Sequence, residues 1–374
     1  MLKIPISPLD HLANVCFAGL KAQHVSCIKT LAEATDAEVT GCSVGSKSFE
    51  FKAKLSPSSL ANRNIRIKAD SAASILLVFQ AILPFLIFAG DEKDTPITVT
   101  IEGGTNVSFS LSFEYLDQVL LPALEGFGVK VERNLEMRGW SHGTRQLGSA
   151  KFKLFPLPVG DTLKAPLWPA EQGTITQIDI SIVVPKYLRE TLMNDLVSQI
   201  EDVFGNVETS FKVVDDSRHP ARMYTLLVAH TSMGLRFGRD WLYDGKTRDK
   251  TGEQLSREVS RRVVKELNAE IQKGGVVDEC LQDQLVVFQA LADGKSSIPS
   301  TFEALTSERE HVDRIDGPFG DGSTHTTTAR WVTSELLPHI KWIDRGRVCE
   351  GVGWRVTKDG TDPITPSMVS LSVA

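Results

Sequence analysis

YLDQVLLPALEGFGVKVER, residues Tyr115–Arg133, reads as a helix followed at once by a strand. Leu116, Val119, Leu120 and Leu124 recur at the three- and four-residue intervals that put side chains on one helix face, which predicts a helix over Tyr115–Phe127. Gly128 stands where a helix C-terminal cap calls for a left-handed backbone, and Val129–Arg133 then reads as a strand. The same order returns on both sides. Toward the N-terminus, His24–Thr35 has Val25, Ile28, Leu31 and Ala32 at helical spacing, and strands at Ala37–Thr40 and Ser48–Lys52 follow, with Gly41 and Gly45 in the turns. Toward the C-terminus come a helix at His325–Leu337 and strands at Ile340–Ile343 and Gly351–Val356.

Helix, short strand and second strand thus occur three times, alike in pattern more than in residues. Ser74–Phe88 reads as a largely buried helix with a kink or break at Pro84, and Ala150–Phe155 alternates as a strand. Residues 176–262 read as a separate α+β unit: a strand at Gln177–Val184, a helix at Leu188–Phe204, and strands at Glu208–Val214 and Arg222–Ala229. A charged, turn-rich run at Asp244–Thr251 and a long helix over Glu253–Lys273 follow.

Of the 374 residues, 41 % are apolar and 24 % charged, ample for a buried core. The net charge of −6 argues against a protein that coats nucleic acid, and leaves room for a local basic pocket. Cys16, Cys27, Cys42, Cys280 and Cys349 are scattered without a CxxC pair, which fits free thiols in a reducing intracellular compartment. The apolar run Ile75–Ala89 is interrupted by Gln80 and Pro84 and is too short to cross a bilayer, and the start MLKIPISPLDHLANV lacks a continuous apolar signal region. There is no GxxxxGK[ST], no GxGxxG after a strand and no HExxH, which removes the commonest nucleotide and zinc motifs.

Five collinear segments resemble the RNA 3'-terminal phosphate cyclase family: Gly19–Ser46, SILLVFQAILPFLIFAG at Ser74–Gly90, Gly103–Glu132 with its GGT, GGVVDECLQDQLVVFQALADGKSS at Gly274–Ser297, and GSTHTTTARWVTSELLP at Gly322–Pro338. The DECLQDQL and THTTTA strings are the most specific. The resemblance implies an α+β fold of three repeated units, each a β-sheet backed by two helices, forming a large domain that carries a smaller α+β insert domain. Residues 1–175 would hold repeats one and two, 176–262 the insert, and 263–374 the third repeat with the nucleophile.

The implied chemistry uses ATP and a divalent metal, Mg or Mn, to turn an RNA 3'-terminal phosphate into a 2',3'-cyclic phosphate through a covalent histidine–AMP. The nucleophile maps onto His325. Neutral imidazole, with an ordinary pKa of about 6.5, keeps a ring lone pair at neutral pH and attacks phosphorus without prior deprotonation. Thr324, Thr326, Thr327 and Thr328 are placed to orient the ring. Gln80, Asp283 and Gln284 match nucleotide-contacting positions, and Gln23 and His24 match a pair near the substrate phosphate. Without the resemblance, His325 reads as an exposed helix-start residue, Asp283 as a helix cap, Gln80 as a helix-surface amide and Gln23–His24 as a helix N-terminal turn. Arg66 and Lys68, alternating along a probable strand, and Arg63 just before them, are cations expected near RNA.

The chain departs from the family pattern at several points. A glycine-rich start is absent before the Gln23–His24 pair, Arg138-Gly139-Trp140 is not followed by a glycine triplet, Leu111 stands where a proline is usual, and Cys280 replaces a nucleotide-contacting aromatic residue. Two accounts of these departures are a cyclase whose sequence as given lacks its first segment, and a diverged, non-catalytic factor in RNA processing or ribosome assembly. An intact His325 and LQDQL point to the catalytic branch, and nuclear residence fits such a role.

Overall fold

The computed structural model describes residues 2–5 (backbone), 19–68, 73–108, 110–143, 146–245, 247, 250–299, 320, 322–337 and 339–356. Apart from Leu2–Pro5, the expectation about the chain's start falls on residues outside these. Strands β1 (Leu2–Pro5), β2 (Glu38–Thr40) and β3 (Ser48–Lys52) form an antiparallel sheet in the order β1-β3-β2, and α1 (Ala22–Thr35) leads into β2. The alternation of Asn64–Lys68 becomes strand β4, with Ile65 and Ile67 buried and Arg66 and Lys68 exposed. Helix α2 (Ile75–Ile87) is apolar on nearly all sides because it is almost wholly enclosed, and Phe79 stacks on Phe152 with ring centroids 4.1 Å apart. Pro84 lies inside α2, which is not broken there, since burial of most of its surface outweighs one lost backbone hydrogen bond.

Strand β5 (Ile97–Gly103) leads to a helical segment in three parts: α3 (Phe113–Tyr115), a π turn at Leu116–Leu120, and α4 (Leu121–Glu125). The cause of the π turn can be read in the hydrogen bonds. Leu121 N–H donates to the Leu116 carbonyl, five residues back. The Asp117 carbonyl would then look to residue 122, but Pro122 has no N–H, and Arg133 Nη2 supplies the donor at 2.8 Å. The neighbouring Gln118 carbonyl accepts from Arg236 Nη1 at 2.9 Å. Gly128, at φ 91, makes the expected left-handed turn into β6 (Lys130–Met137), which pairs with β7 (Gly148–Phe155). The sheet order is β4-β5-β7-β6, with β4 parallel to β5 and the other pairs antiparallel.

Strands β8 (Ile175–Val184), β9 (Glu208–Asp216), β10 (Tyr224–Thr231) and β11 (Arg236–Leu242) form a sheet ordered β11-β10-β8-β9, with α5 (Arg189–Phe204) and α6 (Gly252–Gln272) packed on each other. The expected boundary at 262 falls inside α6. Neither β5 nor β11 was expected as a strand, and β11 carries polar residues at three of its seven positions. Gly238 lets β11 lie against the core, because a Cβ there would come within 2.6 Å of the Tyr115 ring.

Helix α7 (Glu279–Leu291) precedes β12 (Lys295–Ser297), and α8 (Thr324–Leu336) precedes β13 (Lys341–Ile343) and β14 (Val348–Glu350), in a sheet ordered β12-β14-β13. The strand expected at Gly351–Val356 is not one. Instead Val352, Trp354 and Gly353 N–H groups donate to the carbonyls of Ala290, Leu291 and Ala292, and so complete the end of α7, whose last carbonyls have no intrahelical donor. Pairing in a sheet would have left those carbonyls unsatisfied. The fold is α+β, and among the described residues no helix is long and apolar enough to cross a membrane.

Asp278 ties three of these elements together. Its Oδ1 accepts from Tyr115 Oη at 2.6 Å and from Leu281 N at 2.9 Å, and its Oδ2 from Gly238 N at 2.9 Å. Burial pushes the Asp278 carboxyl pKa up, and these three donors and Arg239 work against that rise. Asp278→Ala removes a helix cap and strands a buried hydroxyl and a buried N–H, so urea unfolding should show a loss of about 3 kcal/mol. An unchanged unfolding midpoint would refute this account of the junction.

Candidate active site

Helices α7 and α8 pack side by side, and they set the position of each group in the site. Because Asp278 is the N-cap of α7, Asp283 lies within the helix and is not its cap. Ser323 caps α8, its Oγ accepting from Thr326 N at 3.2 Å. His325 is therefore the second residue of α8, with a side chain 86 % exposed. Its Nδ1 stands 3.6 Å from Asp283 Oδ2, beyond hydrogen-bond reach and within ion-pair range. The Asp283 side chain is only 16 % exposed, and its Oδ1 accepts from Gln284 Nε2 at 2.8 Å.

Two of the four threonines expected to orient the ring, Thr326 and Thr327, are engaged elsewhere. Thr326 is buried with its hydroxyl 3.1 Å from Ser323 Oγ, and Thr327 Oγ1 donates to the Thr324 carbonyl at 3.1 Å. That back-bonding within the first helical turn is the nearest acceptor such hydroxyls find. The group facing Nδ1 is Asp283, which leaves Nε2 directed away from it. Burial raises the Asp283 pKa, while Gln284 and His325 pull it down.

Among the described residues the N–H groups of Thr324 and His325 have no acceptor, as expected for the first turn of a helix. A helix N-terminus of this kind favours an anion such as phosphate. Beside it, Val287, Ala290 and Leu291 of α7 and Val332 and Leu336 of α8 line a groove of about 730 Å³, with His325 and Thr328 also on its wall.

The remaining predicted residues divide. Gln80 lies in α2, and its Nε2 is buried without a partner among the described residues, which is unlike a surface amide. Gln23 is half-buried and lines a different cleft, shared with Arg66 and Lys68. His24 works as a helix-terminal residue: its Nδ1 accepts from Lys21 N at 3.2 Å and so satisfies the N-cap backbone N–H. Desolvation and, secondarily, Lys21 lower its pKa. Arg63 is spent on structure, pairing with Asp91 at 3.3 Å and donating to the Ala89 carbonyl. Among the described residues no hydrogen bond or ion pair joins Gln80, Gln23 or His24 to the Asp283–His325 pair.

Two residues escaped the sequence reading. Ser323 could have been found, as a serine three residues before Thr326 at the start of a helical pattern. Arg239 could not. It bonds Cys280 Sγ at 3.2 Å and is paired with the buried Glu270, across elements far apart in sequence. Burial pushes the Cys280 thiol up to about 12, so this cysteine is not poised as a nucleophile. Among the described residues no three His, Cys, Asp or Glu side chains converge to hold a metal.

A family model described as RNA 3'-terminal phosphate cyclase matches residues 13–338. The chain is similar to the RNA 3'-terminal phosphate cyclase of Thermococcus kodakarensis, 30 % identical over 314 residues, covering 84 % of this chain and 85 % of that protein. It is also similar to the probable RNA 3'-terminal phosphate cyclase of Dictyostelium discoideum, 29 % identical over 331 residues (86 % and 68 %). For the RNA 3'-terminal phosphate cyclase of Drosophila melanogaster the identity is 28 % over 283 residues (75 % and 74 %).

The raised pKa of Asp283 fixes the sign of a pH effect. Between the ordinary carboxylate range and the raised value, the folded state keeps a proton that the unfolded chain has released, so stability falls as pH rises through that window. Asp283→Asn abolishes this term. The variant should melt above wild type at neutral pH and converge with it below about pH 4, where both states hold the proton. Equal melting temperatures across the range would contradict the burial assigned to this carboxyl.

Proposed function

Since the chain belongs to the RNA 3'-terminal phosphate cyclase family, we propose that it is an active, ATP-dependent member that converts an RNA 3'-terminal phosphate into a 2',3'-cyclic phosphate. The observation that carries this reading is the exposed imidazole of His325 at the positive end of α8, with a half-buried carboxylate behind Nδ1. The charge of Asp283, within ion-pair range of Nδ1, favours the proton on that nitrogen and leaves Nε2 as the nucleophile. Nε2 attacks the α-phosphorus of ATP, an N–P bond forms, and the P–O bond to pyrophosphate breaks. The first-turn N–H groups of α8 sit where charge on the phosphoryl oxygens is stabilised.

An oxygen of the RNA 3'-phosphate then displaces His325 from the AMP phosphorus. The neighbouring 2'-hydroxyl, losing its proton, attacks the 3'-phosphorus and releases AMP. In this reading Gln284, whose Nε2 is engaged by Asp283, offers its Oε1 to the nucleotide. The partnerless Nε2 of Gln80 is a second amide for it, and Gln23, more than His24, serves the substrate phosphate. A divalent ion, Mg or Mn, would be held chiefly by the triphosphate, as suits an ion that keeps few protein ligands. The division into 1–175, 176–262 and 263–374 and a nuclear setting belong to the same reading.

The test is incubation with ATP labelled at the α-phosphate and magnesium or manganese. Wild type should acquire acid-labile, alkali-stable label, and His325→Ala should fall to background. Absence of label on folded wild-type protein would sink the active-enzyme reading in favour of a non-catalytic role in RNA processing.

A further inference from the structure

The reaction above uses none of four cations gathered around β4. Lys29 of α1 and Arg66 and Lys68 of β4 line a cleft of about 470 Å³ with Gln23, Ser26 and Thr30, and Glu33 is the one acid among its described lining residues. Arg66 is in register with Thr100 of β5, and Thr100 with Lys151 of β7. Arg66 and Lys151 therefore stand on the same outward sheet face, two strand spacings or about 10 Å apart. Ile65, Ile67, Ala150 and Phe152 alternate with them into the core, so this face cannot turn inward.

Nearby lysines behave differently. Lys153 pairs with Glu132 at 3.3 Å and Lys54 with Glu38 at 3.2 Å, whereas Lys29, Arg66, Lys68 and Lys151 have no carboxylate partner among the described residues. Glu102 is opposite Lys68 in the β4–β5 register and makes no ion pair with it. A chain of net charge −6 thus concentrates unpaired positive charge along one cleft and the face that continues it.

We propose that this cleft and face bind the sugar–phosphate backbone of a single-stranded RNA, in the nucleotides that precede its 3'-terminal phosphate. The proposal rests on the RNA-end reading given above. Arg66 suits a bidentate grip on one phosphate, and the lysines act as point charges on its neighbours. The hydroxyls of Ser26 and Thr30 suit ribose 2'-hydroxyls. No aromatic side chain is among the described lining residues, so on this proposal bases are not stacked and binding is independent of sequence.

The measurement is fluorescence anisotropy with 3'-phosphorylated oligouridylate and oligoadenylate across a salt series, without ATP. The triple variant Lys29→Ala, Arg66→Ala, Lys68→Ala removes exposed side chains and should leave folding intact. It should bind at least tenfold more weakly, for both oligonucleotides alike. Its log–log salt slope should be shallower by about 2, from three lost contacts at about 0.7 each. The charge-retaining variant Lys29→Arg, Arg66→Lys, Lys68→Arg should keep the wild-type slope. An unchanged slope in the alanine variant, or a wild type that binds neither oligonucleotide, would overturn the proposal. With no nucleotide present, the outcome is independent of His325 chemistry. RNA binding as expected without label on His325 would sink the enzyme reading alone, and label with an unchanged slope would sink the RNA cleft alone.

Discussion

The buried carboxylate of Asp278 is the joint on which the site depends. It accepts from Tyr115 just before the π turn, from Gly238 in β11 and from the first turn of α7. Fixing the start of α7 fixes where Asp283 emerges from it, and Asp283 in turn faces Nδ1 of His325. The geometry at the exposed end of α8 is thus set by a hydrogen-bonded group shut off from solvent. Such an arrangement holds the imidazole by the rigidity of packed helices and leaves the ring itself open to solvent.

Other polar groups cross the same junction. Arg138 joins the buried Glu114 to Asp215 of β9, Arg239 joins β11 to Glu270 of α6, and Arg236 completes the π turn. Asp240 is pushed up to about 6, chiefly by burial, beside Tyr224 and Ser112. Breaking such a pair leaves an uncompensated buried charge, which costs more than the intact pair contributes. These contacts therefore act as a register: they tolerate one arrangement of β9–β11 against α3 and α7.

The helices were legible in the sequence because apolar spacing is a local property. α1, the π-bearing segment, α5, α6 and α8 lie within a few residues of the ranges their stripes predict. β5 and β11 were not read, and neither was the fate of Gly351–Val356, whose partners lie on α7. Part of the site was legible too. His325, Asp283 and Gln284 come together, as the LQDQL and THTTTA strings suggested. What the threonines and His24 do was not, since a hydroxyl or imidazole at a helix start bonds to whatever backbone the turn brings near. Arg239 and Arg138 are long-range pairs without any local signature.

The stretch after β14 gives α7 an unusual dependence on synthesis order. The last carbonyls of that helix are satisfied by Val352, Gly353 and Trp354, which leave the ribosome only after α8 and the β13–β14 hairpin. Until then the helix that positions Asp283 has an unfinished end, and the loop that must close to finish it is long. His325 and the carboxyl that faces it therefore reach their final geometry only after Trp354 has been made.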